Sequence, residues 1–539
     1  MRPHEPIHPR LETVAMAPNL WYPNDKLNHK ESDTTFYNSL DIPLLRDSFL
    51  KRFLQESQFP REEMGWRAPN IYTNISRYFD SIFLDGLFEP GLANYRLDIM
   101  DYLRLNPDSR KNFGLIFDEL ANLADLNNYR ESDSLKGLLK KGKVYCTLIN
   151  GFKPFPSDSP QGLLNLNEHF EQVNTSPAYR KLEEIVRKTE DGFDLQMTWR
   201  CTSDLEGENV VSASIHPINE KVNEFGDNFK LYYFGNSDDK PIERIISRSI
   251  KLKFKRHFAN AQEQINQTLR ILPQTAIYLG YLDYVEHLET RGVKFSKPEF
   301  LPKEETRAEI LNAHHPLISE KNSSVGNPII YNQSSQISVI TGPNKGGKSV
   351  YIKSVGLVHA LGLKGFLVPA EKAEFSARDG IYTHFIQPED ITKGESRFSD
   401  EMKRMQSIFT QATPYSLTLL DEPCGGTTLS AGEIKTREFL QLFGELGCPV
   451  FITTHMEGIT RDVLNGLIPK ASNKHLSFSN KNGKFVYHYK LVDEPAQMDY
   501  GAQIADSLGL GAKELRELIQ RRAETEGFKL ADEFYKNRI

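Results

Sequence analysis

The stretch QISVITGPNKGGKSVYIKSVGLVHAL, residues 336–361, reads as strand, glycine-rich loop and helix in that order. Ile337 to Thr341 is a short run rich in β-branched residues, the composition of a buried strand. Gly342-Pro343-Asn344-Lys345-Gly346-Gly347-Lys348-Ser349 then fits G-x-x-x-x-G-K-[ST] at every fixed position, and Val350 onward has helical spacing. The residue types follow from phosphate chemistry. Glycines let backbone N–H groups turn inward around phosphate oxygens, and the start of a helix adds positive potential. A lysine at the position of Lys348 reaches the β- and γ-phosphates, and a hydroxyl at Ser349 ligates Mg²⁺.

Two further strands follow in the order that such a site requires. SLTLLDEPCGGTT, residues 416–428, is an apolar strand that ends in Asp421-Glu422. The first carboxylate would hold Mg²⁺, directly or through water, and the second would orient or deprotonate the attacking water. CPVFITTH, residues 448–455, is a third strand, and His455 at its end is placed to sense a γ-phosphate. An acidic pair or a terminal histidine means little alone; their order after the glycine-rich loop gives them weight.

Working outward, the 539 residues exceed one compact domain. With 39% hydrophobic, 11% aromatic and 26% charged residues, the composition is that of a globular protein with a large core. No run of about 18 apolar residues suggests a membrane span. The first residues, MRPHEPIHPRLETVAMAPN, hold four prolines and no apolar signal core, so a cytoplasmic location is expected. Cys146, Cys201, Cys424 and Cys448 show no paired metal-ligand spacing and are expected as free thiols. The net charge of −6 excludes a histone-like polycation but not local nucleic-acid contacts.

Residues 1–35 read as a loosely packed tail and 36–300 as a mainly helical core, with a strand-containing insertion at about 146–250. Helical spacing is clear in LANYRLDIMDYLRLNPDSRKNFGLIFDELANLADL, residues 92–126, punctuated at Asn106-Pro107. The insertion holds DLQMTWRCTS, NVVSASI and FKLYYFG, rich in β-branched and aromatic residues. Helical spacing returns over about 251–290, and an α/β domain is expected over 301–539. The basic segment ERIISRSIKLKFKRHF carries Arg244, Arg248, Lys251, Lys253, Lys255 and Arg256, fitting either phosphate contact or a solvated face. Tyr232, Tyr233 and Phe234 fit strand packing better than base stacking.

At this point the chain resembles the MutS family of DNA mismatch-repair ATPases. The resemblance rests on TGPNKGGKSVYIKSVGLVHALG and, upstream, AHHPLI with His315-Pro316. It extends through FLVPAEKAEFSARDGIYTHF and GESRFSDEMKRM, the latter carrying Ser396, Phe398, Glu401 and Met402. It closes on MDYGAQIADSLGL, with Tyr500, Gly501, Ile504, Ala505 and Gly509, so that about 308–512 is covered. Weaker similarity touches RLDIMDYLRLNPDSRKNF and LPQTAIYLGYLDYVEHLETRGVKFSKPEF.

The resemblance implies an ABC-like α/β P-loop ATPase domain at the C-terminus, preceded by a helical core and lever domain with a clamp-like insertion. It also implies ATP and Mg²⁺ as cofactors, and a homodimer in which Ser396 reaches the γ-phosphate bound by the partner subunit. Partners implied are duplex or branched DNA; structured RNA, a ribosome or a protein partner are the alternatives. The residues before the core are too few for the family's mismatch-recognition and connector domains, so direct mismatch reading is not expected. Phe117-Asp118-Glu119 has the letters of a mismatch wedge but lies in a helical core pattern. Other departures are Lys345 in place of methionine, Val350 after the serine, Cys424-Gly425-Gly426-Thr427 after the acidic pair, and Ala431 in place of aspartate.

Overall fold

The structure, a computed structural model, describes residues 20, 35–56, 68–85, 88–128, 135–190, 193–201, 207–217, 230–231, 240–322, 324–385, 397–481, 484–495 and 511–528. The tail expected over 1–35 therefore lies almost wholly outside the described residues, as do Tyr232, Tyr233 and Phe234. Chain contacts divide the protein into two compact units interleaved along the sequence. One comprises Met1–Leu27, Phe49–Ser81 and Asp98–Asp283, and the other Asn28–Ser48, Ile82–Leu97 and Tyr284–Ile539. Among the described residues no helix is long and apolar enough to cross a membrane.

The first unit is helical, and its rings explain its packing. The helices Pro107–Asn128, Leu135–Gly151, Gln161–Thr175 and Pro177–Glu190 pack through rings such as Tyr145–Tyr179, and the loop after Gly151 adds Phe155 against Phe113 and Phe152 against Phe170. Ring pairs of this kind add about 0.5–1.5 kcal/mol beyond the area they bury. Phe117 is buried against Phe53, so it is a core side chain and not a wedge. Among the described residues of this unit, the strands form the antiparallel sheet β2-β1-β3, with β1 Phe193–Cys201, β2 Gly207–Pro217 and β3 Lys230–Leu231. The residues from 146 to 190, expected to open the strand-bearing insertion, are instead mainly helical. Apolar positions at Leu163, Leu166, Phe170 and Val173 recur every three to four residues and form the buried face of Gln161–Thr175. The basic segment lies in the helix Lys240–Leu269, where Lys255 and Arg256 are exposed.

The second unit is built on two sheets. β4 (Glu299–Leu301), β5 (Ala308–Ala313), β6 (Asn327–Tyr331) and β8 (Lys372–Ser376) form a mixed sheet in the order β4-β8-β5-β6. The larger sheet contains β7 (Ile337–Thr341), β9 (Ile381–His384), β10 (Leu417–Asp421), β11 (Val450–Thr453), β12 (Ala471–Lys481) and β13 (Lys484–Val492). Its order is β13-β12-β7-β11-β10-β9. All neighbours are parallel except β12 and β13, which form an antiparallel hairpin.

The parallel strands have both faces covered, which explains their continuous apolar runs. Ile337, Val339, Leu420, Val450 and Ile452 join Leu440 and Phe443 of the helix Leu429–Leu446 in one buried cluster. The helix Lys348–Leu363 is buried along most of its length, and its Gly356 has no room for a side chain: a Cβ there would stand 2.5 Å from Leu40 and 2.7 Å from Leu419. Just past this helix, Lys364 Nζ lies 2.5 Å from Asp85 Oδ1, and Arg96 donates to the Lys364 carbonyl at 3.0 Å. Burial pulls the Lys364 ammonium down to about 8, with Asp85 opposing the shift.

Candidate nucleotide site

The carboxyl ends of parallel strands share one edge, where open α/β sheets place their ligand sites. Here β7 ends in the Gly342–Ser349 loop, β10 in Asp421 and β11 in Thr453. Gly342 and Gly347 take φ of 136° and 90°, conformations that glycine adopts without steric cost. Lys345 sits at φ 66° within the same loop, left-handed and exposed. Gly346 donates to the Pro343 carbonyl at 3.1 Å, closing a tight turn, and the helix begins at Lys348 rather than at Val350. Asn344, Ser349 and Val350 are exposed around this loop.

Lys348 is buried, and its Nζ donates to the carbonyls of Gly342 at 3.0 Å and Pro343 at 3.2 Å. The same Nζ is 3.0 Å from His455 Nε2 and 3.9 Å from Glu422 Oε1. Burial lowers the lysine's pKa, and the carboxylates of Glu422 and Asp421 oppose that shift. His455 Nε2 is also 2.8 Å from Glu422 Oε1. A ring nitrogen serves one partner at a time: as N–H it donates to Glu422, and as a lone pair it accepts from Lys348.

The acidic pair is not on the strand beside β7, because β11 lies between β7 and β10. Thr453 on that intervening strand supplies the link. Its hydroxyl donates to Asp421 Oδ1 at 2.6 Å and accepts from the Glu422 amide at 3.1 Å. Ser349 Oγ reaches the same Asp421 oxygen at 3.1 Å. Glu422 stands at φ 50° and Cys424 at φ 64°, so the chain leaves β10 through left-handed residues. Such conformations cost of order 1–3 kcal/mol and gather at functional sites. Thr453 was not among the sequence candidates; a hydroxyl closing an otherwise apolar strand is its one local signal.

Ser349 and Asp421 together suit a hard cation. Ser349 Oγ donates to Asp421 Oδ1 at 3.1 Å, so a hydroxyl and a carboxylate lie side by side as the oxygen donors that would hold Mg²⁺. Magnesium keeps most of its waters and takes only one or two protein ligands.

One aromatic residue also joins the site without a motif. Tyr489 of β13 is partly exposed, and a Cβ on Gly347 would lie 3.0 Å from its ring. Tyr487 stacks beside it, with centroids 5.9 Å apart and planes at 22°. Beyond the acidic pair, Cys424 is buried, which raises its thiol pKa, and Gly426 donates to Glu401 Oε2 at 3.3 Å. Ser396 and the closing segment Tyr500–Gly509 lie outside the described residues.

The architecture so defined is an α/β domain whose central parallel strand feeds a glycine-rich loop and helix, with carboxylates arriving from a strand two places away. Residues 338–524 match the family model described as MutS domain V. The DNA mismatch repair protein MutS of Thermosipho melanesiensis is 30% identical over 298 residues, covering 53% of this chain and 36% of that protein. MutS of Thermus thermophilus is 28% identical over 274 residues, covering 50% of this chain and 32% of that protein. MutS of Thermotoga petrophila is 31% identical over 256 residues, covering 47% and 32%. Over this domain the chain is similar to the MutS family, and the matched model and relatives support its membership as a shorter form. The alignments span about a third of the length of these curated relatives.

Proposed function

We propose that this chain is an ATP-hydrolysing switch that acts on DNA as a dimeric clamp in repair or recombination. The observation that carries the reading is the convergence at one strand edge of two bonded sets, Lys348–His455–Glu422 and Ser349–Asp421, joined through Thr453. In this reading the 342–350 backbone and Lys348 take the triphosphate, Tyr489 takes the base, and Ser349 and Asp421 hold Mg²⁺. When bound, the cation neutralises charge on the phosphate oxygens. Glu422 accepts a proton from the attacking water as its oxygen bonds to the γ-phosphorus. The bond from that phosphorus to the bridging oxygen breaks, and ADP leaves. His455, and Ser396 from the partner subunit, contact the γ-phosphate, so hydrolysis requires two chains. The DNA assignment is carried by the similarity to DNA mismatch repair proteins, with Lys255 and Arg256 as candidate phosphate contacts.

Fluorescence anisotropy of the Glu422→Gln protein tests this, with plain duplex, mispaired duplex, four-way junction and structured RNA, at two salt concentrations with and without ATP. ATP-dependent binding to duplex or junction is expected. Equal affinity for plain and mispaired duplex fits a clamp that does not itself read mispairs. Preference for RNA, or binding to none of the probes, sinks the DNA assignment and leaves the nucleotide site standing.

A further inference from the structure

The β12–β13 hairpin carries an irregularity beside the nucleotide loop. Leu476 pairs with Leu491 and Phe478 with Tyr487, so Ser477 alone opposes the three residues His488, Tyr489 and Lys490. Bulges of this kind re-aim a side chain and recur next to active sites. Tyr489 sits within the bulge at φ 56°, a left-handed conformation that an aromatic residue holds only when its surroundings impose it.

The imposing group is Asn327, the first residue of β6 in the other sheet. Its side chain is buried and spans the bulge: Nδ2 donates to the Tyr489 carbonyl at 2.8 Å, and Oδ1 accepts from the Leu491 amide at 2.8 Å. Lys490 Nζ adds a bond to the Gly326 carbonyl at 2.9 Å. A side-chain amide carries its donor and its acceptor on separate atoms, so one neutral group can span the bulge. The strand is thereby held with the Tyr489 ring against the first turn of the nucleotide-loop helix, at Gly347.

We infer that Asn327 is a positioning residue for nucleotide-base recognition. By clamping the β13 bulge it holds Tyr489 as a stacking platform, and so sets how strongly a nucleoside triphosphate is preferred over a bare triphosphate. Stacking tolerates any base because every base has a π-face. The clamp therefore governs whether a base is present rather than which base it is. This inference rests on the reading of residues 342–349 as a phosphate loop.

The test is calorimetric titration of the full chain with ATP, GTP and inorganic tripolyphosphate, each with Mg²⁺. The proteins are wild type, Asn327→Ala, Tyr489→Ala and the double variant. Asn327→Ala should weaken ATP and GTP by about tenfold, a typical stacking increment, and leave tripolyphosphate within about twofold. In the Tyr489→Ala background the same change should cost less than about twofold, because the platform is already gone. Asn327→Asp keeps the oxygen facing Leu491 and loses the donor to Tyr489; it should show a smaller loss of the same pattern, and it serves if the alanine variant does not fold. Unchanged ATP affinity, parallel loss of ATP and tripolyphosphate, or a full loss persisting without Tyr489 would overturn the inference. Wild type binding ATP no better than tripolyphosphate overturns it alone, whereas wild type binding neither overturns the phosphate-loop reading as well.

Discussion

The two ends of the candidate site are built in opposite ways, although both meet at Gly347. At the phosphate end, nine consecutive residues from Gly342 to Val350 supply a backbone cradle, with Asp421, Glu422, Thr453 and His455 added from two neighbouring strand ends. At the base end no residue is contiguous with another: Asn327 and Tyr489 are 162 positions apart and come from different sheets. The contrast has a chemical origin. Phosphate is recognised by backbone N–H groups, which only a run of glycines in special conformations can present. A base is recognised by a flat ring, which any aromatic residue can supply once tertiary structure brings it near.

Substitutions at the phosphate end should therefore affect every ligand that carries phosphate. Lys348→Ala gives the largest expected effect, because it removes a buried cation directed into the loop. Losses of about 2–5 kcal/mol are usual for such a group. Titration calorimetry should show ATP and tripolyphosphate weakened together by two orders of magnitude or more, with no measurable hydrolysis. Retained tight binding of either ligand would show that the loop is not the phosphate end. Glu422→Gln should separate binding from chemistry. Phosphate release should fall by about 10²–10⁴-fold, the usual contribution of a general base, while ATP affinity stays within about threefold. Unchanged turnover would move the base to another residue, with His455 first in line at 2.8 Å.

What the sequence disclosed follows the same division. The strand Ile337–Thr341, the turn after it and the strand ending at Asp421 could be read because each is fixed by local order along the chain. The interposition of β11 could not, since strand order in a parallel sheet is set by crossovers and not by any one segment. Thr453 stayed hidden for that reason: its partners, Asp421 and Glu422, lie 32 and 31 residues away. Tyr489 stayed hidden because FVYHYKL reads as an ordinary alternating strand, and only pairing with β12 exposes the bulge. In the helical unit, the strand-rich stretches DLQMTWRCTS and NVVSASI mark the sheet, but nothing in them marks where the preceding helices end.

A smaller effect is expected where the two strand ends are tied together. Thr453→Val removes the hydroxyl shared by Asp421 and the Glu422 amide, but leaves Glu422 its bond to the Thr453 carbonyl at 3.1 Å. Asp421 then loses one hydrogen bond to a charged group, a contribution of about 1.5–3 kcal/mol. The Mg²⁺ concentration for half-maximal hydrolysis should rise several-fold, with little change in tripolyphosphate affinity at saturating Mg²⁺. An unaltered Mg²⁺ dependence would mean that Ser349 alone orients the carboxylate.

The smallest effect probes the base end, and its value lies in the pair of variants. Tyr489→Ala removes the ring and should cost ATP about tenfold in affinity. Tyr489→Phe keeps the ring against Gly347 and the stack on Tyr487, and removes only the hydroxyl. If stacking is what Tyr489 provides, the phenylalanine variant should bind ATP within about twofold of wild type, and tripolyphosphate should be indifferent to both changes. A phenylalanine variant as weak as the alanine variant would assign recognition to the hydroxyl. A side chain that recognises by hydrogen bonding, unlike a stacking face, would also distinguish ATP from GTP. The ratio of the two affinities in wild type and Tyr489→Phe therefore decides between a platform that accepts any base and a contact that selects one.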